Sequence, residues 1–474
     1  MTTELIGALV FLPLLAALAC VVLPRHARLL GMLAVLALPV VLVPLTASGL
    51  GLEPIELALG GWAVPLGIGW RVDALSLLLL WTHAIVALAA SVAAWHGAHG
   101  ASARFWPTWL LLITGLNAAL VSADWFNLYV ALELITLCAV ALAALDDSAA
   151  ALRAAMRYLV LGMLGSLMYL LGVGLVYAQT GSLAMAAPSS GMSLSVTAQA
   201  LILTGLLVKA AIFPLHVWLP AAHGHAPGPV SAMLSAVVVK IAILACWRLW
   251  FQSGPGLPPA ALANLLGLLG VAAMLYGSIM ALVQRRLKMV VAYSTVAQLG
   301  LLLLLFPLAG ELAFKGAGFH LLTHALAKAA MFLAAANVLV ALGTDRIHRL
   351  PGLDSRLPIE TFTLALAGVT LMGLPPSGGF AAKWMLLQAA WQSANLFWLV
   401  ALLVGGLLSA AYIFRVLAMT CFHPRPAGCP RRCDRPPLAS SLAALALALG
   451  GLLIGLWPAP VLRLLEAGLP GVLQ

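Results

Sequence analysis

Seven side chains can hold and release protons where an apolar chain should not carry them: Glu133, Lys209, Lys240, His320, His324, Lys328 and Lys383. The charged ones lie inside apolar runs, where an ionised group near mid-bilayer costs at least about 2.5–3.5 kcal/mol. His320, His324 and Lys328 follow one another at spacings of four, which places them on one helix face. One carboxylate, four amines and two imidazoles form a set suited to passing protons. A lysine taken into low-dielectric surroundings loses affinity for its proton, and a carboxylate brought close restores it. Moving that partner switches the lysine between holding and releasing. Imidazoles, with an ordinary pKa of about 6.5, can hand protons on at neutral pH. Ser166, Ser235, Tyr293, Ser294 and Gln298 lie on neighbouring runs and can carry bridging waters. Plainer roles stand beside these: the lysines could snorkel to an interface, Glu133 could be a structural partner, and His320 could serve packing. Arg415, near a span end, is read as snorkelling.

The elements that must position these groups follow from bulk composition. The chain has 474 residues, 64% hydrophobic and 8% charged, with a mean hydropathy of +1.09. A soluble domain is about one quarter charged, so a soluble enzyme, a disordered chain and a disulfide-rich secreted module are excluded. Apolar runs of spanning length recur from end to end, which predicts an all-α polytopic membrane protein with about fourteen transmembrane helices. Residues 5–23 read as a retained first helix rather than a cleaved leader.

Two spans are predicted to be broken. Span 7, residues 195–219, carries Pro214. Span 12, residues 359–397, carries Pro375, Pro376, Gly378 and Gly379. Unwound backbone survives at membrane depth only where protein or a wet cavity satisfies it, so paired breaks point to a transport site. They lie five spans apart, and a unit with an odd number of helices must be inverted relative to its partner. The expected organisation is helices 1–3 over residues 1–105, one five-helix repeat over 106–250, an inverted second over 260–420, and helix 14 with a tail over 438–474. The helix macrodipole should favour a cation at Lys209, before the first break, and disfavour one at Lys383, placed in the first turn after the second.

Of the 24 Lys and Arg, fifteen fall in loops after odd-numbered spans. Four (Arg71, Arg248, Lys315 and Arg463) fall in the other loops and tails, and five within spans. Odd loops are therefore expected in the cytoplasm and both termini outside. Cys421, His423, Cys429 and Cys433 crowd the last odd loop, and His216, His223 and His225 follow the first break. The prolines and basic surroundings of the first set do not match a familiar zinc finger, and no metal is assigned to either: the first is read as a basic loop, the second as lining a cytoplasmic proton entrance or capping a loop. No phosphate loop, nucleophile elbow or hydrolytic acid pair appears, so no chemistry of its own is expected.

At these residues the chain resembles the antiporter-like membrane subunits shared by Mrp-type multisubunit Na⁺/H⁺ antiporters, respiratory complex I and membrane-bound hydrogenases. The resemblance rests on Leu132-Glu133-Leu134, on Lys209 through Pro214 to Pro220, on Ala226-Pro227 through Ser231, on Arg286-Leu287-Lys288 with Tyr293-Ser294, on His320, His324 and Lys328 at their spacing, and on Gly373 through Pro375-Pro376 to Lys383. It implies fourteen helices in two inverted five-helix repeats, with helices 7 and 12 broken. It also implies roles: Glu133 and Lys209 as a paired acid and base, Lys240 as central relay, His320, His324 and Lys328 as second-half relay, and Lys383 as terminal base. It implies no cofactor in this subunit, other membrane subunits as partners, protons and possible Na⁺ as cargo, and no nucleic acid. The short segment after span 14, residues 460–474, and a lysine at position 383 favour an Mrp D-type subunit in a bacterial inner membrane. A complex I-type or hydrogenase proton-pumping subunit is the alternative, and an inert scaffold the third reading.

Overall fold

A computed structural model describes residues 2–48, 54–62, 67–185, 194–252, 259–423 and 434–473. The chain is a helical bundle, because a backbone in hydrocarbon must satisfy its N–H and C=O groups within each segment. In order, the helices are α1 Thr2–Val22, α2 Ala27–Ser48, α3 Ala74–His96, α4 Phe105–Val121, α5 Trp125–Ala143, α6 Ala149–Thr180, α7 Val196–Lys209, α8 Trp218–His225, α9 Gly228–Met233 and α10 Val239–Gln252. They continue as α11 Ala260–Val283, α12 Leu287–Leu302, α13 Leu305–Leu308, α14 Glu311–Leu342, α15 Leu353–Arg356, α16 Pro358–Met372, α17 Gly378–Gln392, α18 Leu396–Leu417, α19 Leu438–Leu456 and α20 Ala459–Ala467. Among the described residues, eleven helices are long and apolar enough to cross a membrane, and α4, α7 and α16 are shorter apolar helices. A small antiparallel hairpin, β1 Ile55–Ala58 with β2 Gly69–Val72, precedes α3.

Burial sorts these helices. The α9–α10 segment is buried along its whole apolar window, and α12 and α14 nearly so, whereas α1, α2, α6, α18 and α19 turn much of their surface outward. The long helix α14 lies at the centre, packed on α3, α9, α12, α16, α17 and α19. Polar N-caps punctuate the chain: Asp73, Asp124, Ser148, Ser195, Ser377 and Asn395 each accept a hydrogen bond from a backbone N–H of the first turn they open.

Three boundaries differ from the sequence reading. The apolar run placed in span 12 to residue 397 hides a turn: α17 ends at Gln392, and Asn395 caps α18, so Leu396 and Phe397 belong to the following helix. The first broken span extends past residue 219 through α8 to His225. Gly378 and Gly379 are the first residues of α17 rather than part of the unwound turn, which runs from Gly373 to the Ser377 cap.

Candidate functional site

The paired acid and base are built by α5, α6 and α7. The α5 helix starts at Trp125 because the Asp124 carboxylate accepts from the Asn127 N–H at 2.7 Å. The α7 helix stops at Lys209 because Ala211 turns left-handed (φ 53°) and Pro214 follows, joined by a cis peptide to Phe213. Trp218 returns from α8 to donate its indole N–H at 2.9 Å to the Val208 carbonyl, which also accepts from the Ala211 N–H at 3.1 Å, so that helix end is doubly bonded. Lys209 thereby projects its Nζ to within 3.1 Å of Glu133 Oε1 and 3.0 Å of Thr136 Oγ1, while the Ser166 hydroxyl donates to the same Glu133 oxygen. The lysine side chain is 7% exposed and the glutamate 21%. This is a buried, charge-assisted pair in which breaking one partner leaves a costly lone charge.

The centre of the line depends on a π-helical turn, Leu234–Val238, between α9 and α10. Such a turn offsets the backbone bonding ladder and is frequent at functional sites. Here the Ser235 carbonyl accepts from Lys240 Nζ at 2.7 Å, and the Ser235 hydroxyl pairs with Thr295 of α12 at 2.8 Å. Lys328 donates to the Val291 carbonyl at 2.6 Å and to the Ser294 hydroxyl. His320 and His324 stack with ring centroids 5.4 Å apart, and none of their four ring nitrogens has a hydrogen-bond partner among the described residues. Lys240 is an electrostatic neighbour of His320, His324 and Lys328, and Lys383 of both histidines. The groups thus follow one another as Lys240, then the His320, His324 and Lys328 set, then Lys383.

Lys383 corrects the macrodipole expectation. It is the sixth residue of α17, and its ammonium turns back onto the Leu371 and Met372 carbonyls at 2.7 and 3.0 Å. Those carbonyls end α16, where the negative end of a helix dipole favours a cation. Two glycines permit this. Gly373 takes φ +78° to end α16 and leaves room for the Lys383 stem, and a Cβ on Gly379 would lie 1.8 Å from the Thr370 carbonyl oxygen.

Several buried polar groups were not singled out from the sequence, or were misplaced. Thr136 shares the Lys209 ammonium, and its spacing of three from Glu133 was the available signal. Arg248, counted in a loop, lies inside α10, where it donates to Asp73 (3.4 Å) and to the Ser122 carbonyl (3.0 Å), tying α10 to α3. Lys288, counted in a loop, is buried at the start of α12 and donates to the Ala226 carbonyl. Glu360 is a further buried acid, in addition to Asp124 and Asp345. It sits in the first turn of α16, accepts from Ser441 of α19 and is approached by Asn337 of α14 at 3.4 Å. His83 is fully buried in α3. Arg415 does not simply reach for water: it donates to the Leu282 and Gln284 carbonyls, capping α11. His216 meets Tyr276 edge-on at 4.8 Å, His223 stacks on Phe332 at 4.4 Å, and His225 contacts the Ala221 carbonyl at 3.1 Å. No group of three metal-ligating side chains occurs among the described residues; Cys429 and Cys433 lie outside them.

Fold and site together define a multi-pass membrane protein with an internal line of titratable side chains. Residues 122–409 match the family described as NADH:quinone oxidoreductase/Mrp antiporter, transmembrane, and the chain belongs to that family. It is 35% identical to the N-type subunit of NADH-quinone oxidoreductase from Desulforudis audaxviator, over 85% of either chain. It is 26% identical to the D-type subunit of the Na⁺/H⁺ antiporter from Bacillus subtilis, over 86% of this chain and 85% of that one. Among solved structures, it is similar to a chain of the Mrp complex from a Dietzia species (TM-score 0.90, 25% identity), covering 100% of this chain and 98% of that one. It is also similar to a chain of respiratory complex I from Thermus thermophilus (TM-score 0.77, 26% identity), covering 98% and 100%. The chain is an antiporter-like membrane subunit, and its resemblances divide between the Mrp and complex I types.

Proposed function

We propose that this subunit conducts protons within a larger membrane complex, along the line from Glu133 and Lys209 through Lys240 to His320, His324, Lys328 and Lys383. The observation that carries this reading is the 3.1 Å Lys209–Glu133 pair, continued by three more buried lysines whose heads rest on backbone carbonyls. With Glu133 close, Lys209 keeps its proton; when the carboxylate withdraws, the proton passes inward to the next base. The histidines bridge the second half, since an imidazole gives up a proton from one nitrogen as it takes one on the other. The α4, α7 and α16 helices are read as crossing with the eleven longer ones, α8 and α17 completing the broken spans. The two inverted repeats then cover residues 106–250 and 260–420. Other membrane subunits flank the chain in a bacterial inner membrane, with both termini outside.

Two driving forces fit. Secondary cation/H⁺ antiport of the Mrp type is favoured by the fold similarity to the Dietzia Mrp complex. Redox-driven pumping is favoured by the 35% identity to an N-type subunit of an NADH-quinone oxidoreductase. A visible absorption spectrum of the natively purified complex separates them, because iron–sulfur or flavin absorbance accompanies only the second. The relay itself is tested by Lys209→Ala and Glu133→Ala in the reconstituted complex. Each should lower proton transport at least about 100-fold with the complex still assembled. Wild-type transport by either variant overturns the assignment and leaves the scaffold reading.

A further inference from the structure

The Lys328 ammonium is not held by α12 alone. The Ser294 hydroxyl that receives it is in polar contact with the phenol of Tyr412, on α18. Tyr412 is fully buried, and its oxygen accepts from Gln298 Nε2 at 3.2 Å. The same Gln298 amide donates to Ser409 at 2.8 Å, one turn earlier on α18, and Ser409 is also in polar contact with the phenol. The Gln298 amide oxygen has no hydrogen-bond partner among the described residues. A side-chain chain therefore runs from Lys328 through Ser294 to Tyr412, Gln298 and Ser409, crossing α14, α12 and α18. Packing alone does not require it: phenylalanine would fill the ring's volume without a buried hydroxyl, and a buried polar network is costly unless its members are satisfied together.

We propose that Tyr412 is a positioning residue for the proton line: its phenol, gripped by Gln298 and Ser409, fixes the Ser294 hydroxyl that receives Lys328, so that α18 tunes the second half of the relay. Ser294 donates to the Val291 carbonyl at 2.9 Å, the same carbonyl that accepts from Lys328. Its oxygen is then free to receive, and a second hydroxyl in contact sets where that oxygen points. A displacement of this acceptor changes the geometry from which Lys328 releases its proton, and rates fall steeply when reacting groups are misplaced. The charged and titratable groups around Lys328 are Lys240 on α10, His223 on α8, His324 on its own helix and, through Ser294, the Tyr412 phenol, by which α18 acts through hydrogen bonding rather than charge.

The inference rests on the relay reading, and the test separates the two. In the reconstituted complex, Tyr412→Phe keeps the ring and should lower proton transport about tenfold. It should also displace the pH of half-maximal transport by half a unit or more, with assembly and Tm preserved. Ser409→Ala, which loosens the phenol without touching Lys328, should displace the profile less. A Tyr412→Phe complex whose rate and Tm fall while the profile stays in place would make Tyr412 a packing residue and overturn the inference. A Lys328→Ala complex transporting as wild type would instead show that the relay reading had failed.

Discussion

At the scale of single residues, the Glu133–Lys209 pair is defined by its third member as much as by its charges. Thr136 lies one helical turn beyond Glu133 and offers its hydroxyl oxygen to Lys209 at 3.0 Å, while donating its own proton to the Leu132 carbonyl at 2.8 Å. An ammonium has three protons to place and no acceptor lone pair, so in an apolar bundle each lost acceptor is felt. Thr136→Val keeps the shape and removes the oxygen. It is expected to slow proton transport about three- to tenfold, a loss equivalent to about one ordinary hydrogen bond, with complex assembly intact on native gels. A valine variant with wild-type turnover would remove Thr136 from the site.

At the scale of elements, the broken helices hold the site because their ends are built differently. In the first, a left-handed alanine and a proline stop α7 immediately after Lys209, so the base is the last residue of a half-helix. In the second, Gly373 stops α16, Ser377 caps α17, and the lysine returns across the break to the carbonyls it left behind. That return needs the two half-helices to touch at Gly379. Gly379→Ala places a methyl group 1.8 Å from the Thr370 oxygen, and the backbone must move. The variant is expected to lose about 3 kcal/mol of stability or more, seen as reduced assembled complex and a lower Tm. Gly174→Ala on the exposed face of α6 is the control: nothing lies within 4 Å of the added methyl, and Tm should hold or rise.

At the scale of the whole molecule, ion pairs outside the proposed relay tie remote segments together. Asp73 caps α3 and faces Arg248 of α10 across 3.4 Å. Burial pushes the Asp73 carboxyl up, but the Arg248 guanidinium and the Ser76 N–H and hydroxyl outweigh it and hold the carboxyl below its ordinary value. A carboxyl held low in the folded state contributes stability above its unfolded value, about 3.9, and loses it as pH falls through the folded value. Tm should therefore be flat at neutral pH and fall below about pH 4. Asp73→Asn keeps a cap but leaves Arg248 without its counter-charge. It should lower stability by about 3 kcal/mol at pH 7 and remove that part of the acid dependence. An unchanged acid limb in thermal melts would show that the pair carries none of it.

Composition and spacing were enough to predict a predominantly helical membrane protein, its broken segments and the titratable set, because length, hydropathy and proline are local properties that a bilayer reads directly, while the family came from the resemblance of the motifs around those residues. The seven groups were legible since each is individually expensive in an apolar run. Partnership was not local. Only the folded chain decided that Lys383 rests on the carbonyls of α16, that Lys240 uses a π-helical turn, and that Arg248 and Lys288 serve the bundle rather than its loops. Glu360 and Tyr412 escaped notice for the same reason. Their meaning lies in hydroxyls and amides contributed by helices far away in sequence, and hydrogen bonds of that kind are fixed by how helices pack, which no single segment encodes.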